Sequence, residues 1–149
     1  MPMEVPVSLK SGHEAITAML KRAMREPGAT GEAARKLGQV FDGHMMREEK
    51  FALRPLGLLK ALGRGEKPSD LAEAATVVTG LRREMPQMME EHRQIGELLR
   101  TLARAAEVEG KPEYVSFAEE VMVHAHIEED VLYPAALLVG EYAAAVRGD

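Results

Sequence analysis

Two segments of this 149-residue chain place a glutamate four residues after a histidine: His44 with Glu48, and His124 with Glu128. A lone histidine precedes each, His13 by 31 residues and His92 by 32. Neutral imidazole and carboxylate are good donors to divalent Fe, Mn or Zn. Six such groups in one place would serve a pair of ions, with two histidines on each and both glutamates shared. One ion would leave donors idle. With no cysteine in the chain, disulfides, thiolate metal sites and cysteine nucleophiles are excluded.

Helices are the elements that could position these groups. Ala, Leu, Glu, Arg and Met dominate, aromatics make up 4% of the chain, and no stretch alternates strictly between apolar and polar. The first helix runs from about Ser8 to Glu26, ahead of Pro27-Gly28. The second runs from near Thr30 to about Phe51. Leu53 to Gly65, apolar and punctuated by Gly and Pro, reads as a short crossing segment. A third helix opens at Asp70, a candidate N-cap with Glu73 three residues on. It passes Pro86, which should kink it, and ends near Gly110. Pro112 suits the first turn of a fourth helix, which Pro134 bends.

Steps of three and four residues mark one buried seam per helix. The seams are Leu9, His13, Ile16, Leu20 and Ala23; Leu37, Phe41, His44, Glu48 and Phe51; Leu81, Met85, Met88, His92, Ile95, Leu99 and Leu102; and Phe117, Val121, His124, Glu128, Val131 and Ala135. Four of the five histidines thus stand where the pattern calls for leucine. His13 and His92 share Ile at +3 and Leu at +7, so the chain repeats one helical hairpin twice. The repeat sets all six polar groups at one depth.

A single histidine on an apolar stripe is ordinarily a hydrogen-bonded core residue. Six polar groups at one level are a different matter. An unpartnered buried carboxylate alone costs several kcal/mol, against a total stability of about 5–15 kcal/mol. A pair of cations compensates them. Helical geometry also separates the adjacent glutamates, because at about 100° per residue a +4 position lies about 40° from its histidine and a +5 position about 140°. Glu48 and Glu128 face inward, while Glu49 and Glu129 face water or back the histidines. His126 points outside.

Hydrophobic residues are 46% and charged residues 29%, enough for one folded domain spanning 1–149 with its core at about 8–146. The net charge of −5 argues against a nucleic-acid partner. The longest apolar run, Val131 to Val139, is broken by Pro134 and too short to span a membrane. MPMEVPVSLK lacks the basic and apolar regions of a secretory signal, so a cytoplasmic location is expected.

The pieces Gly12-His13-Glu14, HMMREEKFALRPL (His44 to Leu56), EEHRQI (Glu90 to Ile95) and HAHIEEDVLYPAA (His124 to Ala136) together resemble the hemerythrin-like, or HHE cation-binding, domain. The resemblance covers nearly the whole chain. It implies an all-α, up-down-up-down four-helix bundle around a non-haem di-iron centre. His13, His44, His92 and His124 would be terminal ligands and Glu48 and Glu128 bridges, with a water, hydroxide or oxide completing the bridge; Mn or Zn could substitute for iron. Oxygen-carrying hemerythrins have a further histidine one turn after the third motif histidine, where this chain has Gly96. The site should therefore be symmetric, with vacancies at both metals. That leaves binding or sensing of oxygen, nitric oxide or iron, or an oxidase or peroxide-consuming enzyme, or a metal-free structural bundle. Ferritin-like sites use four carboxylates and two histidines and do not match. Of the remaining features, the methionines read as core filling, Tyr133 and Tyr114 as off the seam or far along it, and Glu14 and Glu91 as solvated. Arg82-Arg83 and the LGLL segment are candidates for a partner surface.

Overall fold

Proline and glycine set the helix ends, much as their positions predict. The computed structural model describes residues 3–147. Its helices are α1 (Val7–Met24), α2 (Gly28–Glu48), α3 (Leu59–Gly63), α4 (Leu71–Val108), α5 (Pro112–Ile127) and α6 (Tyr133–Arg147), and there is no strand among the described residues. Between α1 and α2 the chain turns at Gly28, whose φ of 73° lies in the left-handed region that glycine tolerates. The first N–H groups of α2 have no partner within the helix. Glu109, from the turn at the far end of α4, accepts them from Ala29 and Thr30 at 3.2 and 2.9 Å. One turn therefore caps another.

Helix α4 runs unbroken for 38 residues through Pro86, which is exposed. Asp70 precedes it, but its side chain makes no capping hydrogen bond; only its carbonyl joins the helix, accepting from the Ala74 N–H. Helices α1 and α2 form one antiparallel hairpin, and α4 with the rod α5–α6 forms the other. Helix α4 packs on α2, α5 and α6. The result is the expected four-helix bundle.

The crossing segment is more structured than its Gly and Pro content suggests. A π-helical turn (Glu49–Leu53) and a 3₁₀ turn (Arg54–Leu58) lead into α3. Leu56 and Leu58 of the LGLL segment are buried against the end of the bundle, so those two residues offer no partner surface. A second π turn, Glu128–Leu132, joins α5 to α6. Each π turn is followed closely by a proline, Pro55 and Pro134. A proline ring clashes with the carbonyl four residues before it, and here those carbonyls, of Phe51 and Asp130, lie inside the wider turns. Widening the helix removes the clash.

Apolar packing falls into layers on either side of the polar group. Leu20, Leu37, Phe41, Ile95, Leu99 and Phe117 fill the side towards the α1–α2 and α4–α5 turns. Leu53, Leu56, Leu81, Met88, Tyr133 and Ala136 fill the other. A fully buried leucine contributes about 1.5–3 kcal/mol, so these layers offset a costly polar stratum between them.

Candidate metal centre

Each seam delivers its polar residue to the same level. His13 comes from α1, His44 and Glu48 from α2, His92 from α4, and His124 and Glu128 from the end of α5 and the start of its π turn. Glu48 is 0% exposed, His13 2%, and His44 and Glu128 3% each. Their donor atoms form two groups sharing both glutamates: His13, Glu48, His124 and Glu128, and His44, Glu48, His92 and Glu128. Within each group the atoms lie within 4.8 Å of one another. His13 Nε2 is 2.8 Å from Glu48 Oε1, His44 Nε2 is 3.1 Å from Glu48 Oε2, and His124 Nε2 is 2.8 Å from Glu128 Oε2.

The adjacent glutamates divide as helical geometry requires. Glu49 and Glu129 stay outside both groups, with side chains 39% and 37% exposed. Their carboxylates reach instead to the far nitrogens of two histidines, Glu49 to His13 Nδ1 at 3.3 Å and Glu129 to His92 Nδ1 at 2.9 Å. Such partners fix the ring and its tautomer. His126 and Glu14 are exposed.

Three expectations need correction. Glu91 is buried, not solvated. It faces His44 Nδ1 at 3.1 Å and is held by Arg47. Val131 is 56% exposed and Phe51 only half-buried, whereas Tyr133 is 1% exposed and belongs to the site. Its hydroxyl donates to Glu48 and lies 3.1 Å from His92 Nε2. Tyr133 is five residues after Glu128, which points away from it in an α-helix. The intervening π turn, closed by the Tyr133 N–H on the Glu128 carbonyl, slips the register by one residue and brings the ring inward. The signal was present in the repeat: Leu53-Arg54-Pro55 and Leu132-Tyr133-Pro134 follow their glutamates at nearly equal distance. Tyr114, by contrast, is far along the bundle, bonded to Glu26.

Protons hold this cluster together when no cation does. Burial alone pulls the His13 imidazole down, but the Glu128 and Glu48 carboxylates beside it overcome that and push it up to about 10. His92 is raised in the same way to about 10, opposed by burial and driven by Glu128, Glu48 and Glu129. Burial would raise the Glu48 carboxyl; the neighbouring Glu128 carboxyl and the His13, His44 and His92 rings hold it well below the usual range. The Tyr133 phenol is pushed up by burial and by the Glu48 and Glu128 charges, so it stays a neutral donor.

The donor set fits a pair of cations. Glu48 Oε1 and His124 Nε2 are buried yet make no hydrogen bond; each has a neighbour at 2.8 Å but not in line for one. Both belong to the His13–His124 group. Buried polar atoms left in this way ordinarily have an unseen partner.

A four-helix bundle enclosing four histidines and two shared carboxylates at one depth defines a class of protein built to bind cations in its core. The sequence profile of the hemerythrin HHE cation binding domain matches residues 7–136, and the chain belongs to that family. No curated protein and no solved structure matches the chain.

Proposed function

We propose that this protein holds two iron ions between its helical hairpins and uses them to bind or sense a small ligand such as oxygen or nitric oxide, or iron itself. The observation that carries the reading is the pair of overlapping donor groups sharing Glu48 and Glu128. His13 and His124 would hold one ion and His44 and His92 the other, with the two glutamates bridging. Iron supplies open coordination positions for a diatomic ligand and the option of a change in oxidation state; a bridging water, hydroxide or oxide would complete the pair, and Mn or Zn could occupy the same donors. The interior void lined by His44, Glu48, His92, His124 and Glu128 is only about 10 Å³. That space suits a diatomic ligand rather than an organic one.

One observation favours a second reading at the same centre, a peroxide-consuming enzyme. The buried Tyr133 hydroxyl, donating to Glu48, sets a proton beside the donor groups. Anaerobic iron reconstitution should saturate at two equivalents per chain; a firm plateau at one overturns the shared-glutamate assignment. Steady consumption of added peroxide by the loaded protein would select the enzyme, and a stoichiometric spectral change on adding nitric oxide or oxygen would select the binding protein.

A further inference from the structure

We propose that an exposed apolar stripe along α5 and α6 is the pairing face for a second copy of this chain, in an antiparallel dimer whose two-fold axis passes the Pro134–Ala135 peptide. The pairing does not depend on whether iron is bound.

Of the ten large apolar side chains exposed among the described residues, six are on this one rod: Val123, Ile127, Val131, Leu138, Tyr142 and Val146. The other four are scattered, one each on α1, α2, α3 and α4. Single exposed apolar residues are ordinary, whereas a contiguous patch marks a binding surface. Helix α6 makes the same point. Between Tyr133 and Val146 its only charged residue is Glu141, which Arg82 holds to one side. A helix that is apolar all round is normally covered all round. Here the bundle covers the face of Tyr133, Ala136, Val139 and Ala143 and leaves the opposite face open.

The six residues form a single row. Steps of four drift by about 40° around an α-helix, which would wind a long row off its face. The π turn adds a residue to one turn, so the step from Ile127 to Val131 falls short of a full turn and winds the row back. The stripe is about 35 Å long at 1.5 Å per residue.

Its spacing is palindromic. Val123 and Val146, Ile127 and Tyr142, and Val131 and Leu138 are each equidistant from the Pro134–Ala135 peptide. A two-fold axis there sets every residue of the row against a residue of the same row in the other copy, as an isologous interface requires. The smaller Pro134 and Ala135 fall at the axis, where two crossing helices approach most closely. Six side chains each baring on the order of 100 Å² give about 600 Å² per chain, close to the roughly 800 Å² that each partner of a standard interface buries; the exposed Pro134 and Ala145 add to it. A lipid surface fits less well, because helices that lie on membranes carry Lys and Arg beside their apolar face. No lysine or arginine occurs between Pro112 and Val146, and the flanks hold the exposed Glu120, Glu129 and Asp130.

Sedimentation equilibrium of the full chain tests the pairing. At about 100 µM, above the weakest Kd usual for an interface of standard size, the mass should be twice the 16.3 kDa of one chain. Val131→Lys alone and Leu138→Glu alone should each give monomers with unchanged circular dichroism, since both side chains are more than half exposed in the single chain. Mixed in equal amounts, the two variants should pair again. The axis sets position 131 of one chain against position 138 of the other, so the introduced lysine meets the introduced glutamate while the second such pair stays apolar. Val108→Glu, at an exposed residue off the stripe, should leave the dimer intact. A monomeric parent chain at that concentration, a dimer that survives both stripe substitutions, or a mixture that stays monomeric would overturn the proposal. Flotation of monomeric parent chain with phosphatidylcholine vesicles would overturn it too, by giving the stripe to a lipid surface.

Discussion

Glu48→Gln isolates the charge at the middle of the centre. Glutamine keeps the shape of the side chain but is neutral and turns one acceptor oxygen into a donor. Glu48 is fully buried, 2.8 Å from His13 Nε2 and 3.1 Å from His44 Nε2, and accepts the Tyr133 hydroxyl. Removing one partner of a buried ion pair costs roughly 3–5 kcal/mol. Part of this is recovered because His13 and His92, no longer facing that carboxylate, give up protons more readily. A net loss of about 2–4 kcal/mol remains, and at about 2–4 °C per kcal/mol for a chain of this size the metal-free variant should melt about 5–15 °C lower. Glu49→Gln is the matched control. Its side chain is 39% exposed and 3.3 Å from His13, and pairs of that exposure contribute about 0–1 kcal/mol. After iron loading and gel filtration, Glu48→Gln should have lost at least one ion and Glu49→Gln should retain both. Thermal melts by circular dichroism and iron analysis give the two readouts. Equal melting of the Glu48 variant and the parent, or loss of iron from the Glu49 variant alone, would refute the assignment of inward faces.

Saturating two positions at a hundredfold excess over Kd should add about 5 kcal/mol to the loaded protein and raise its Tm by roughly 10–20 °C over the metal-free form; equal melts with iron retained would refute a buried centre. Replacing all six donors by Leu or Met should recover much of the stability that iron removal takes away. Iron loading at pH 7 should release the protons held by His13 and His92, read with an indicator dye in weak buffer. In the metal-free protein these histidines have folded pKa values of about 10 against an ordinary 6.5. Their contribution is therefore complete below pH 6.5 and lost as pH rises through 10, so chemical denaturation should show stability falling across that window. Gly140→Ala tests the bundle away from the centre: the new Cβ would overlap Val78 where α6 crosses α4. A loss of about 1–3 kcal/mol is expected, with the iron count unchanged.

The inward-facing cluster of four histidines and two glutamates and the four long helices were legible in the chain because both depend on local periodicity. A step of four along an α-helix keeps a side chain on one face whatever the helix packs against, so His44 with Glu48 and His124 with Glu128 could be paired, and Glu49 and Glu129 set aside, by angle alone. The repeat then fixed a common depth. Tyr133 and Glu91 were not legible, for two different reasons. Tyr133 turns inward because Pro134 forces a π turn ahead of it, and angles counted at 100° per residue fail across such a turn. Glu91 is beside His92 on a face that reads as solvent from its own helix. It is buried because α2 lies across it and brings Arg47 and His44 to meet it. Whether a charged side chain meets water or a partner depends on the neighbouring helix. Periodicity within a helix assigns a residue to a face; only the packing of helices decides what that face touches.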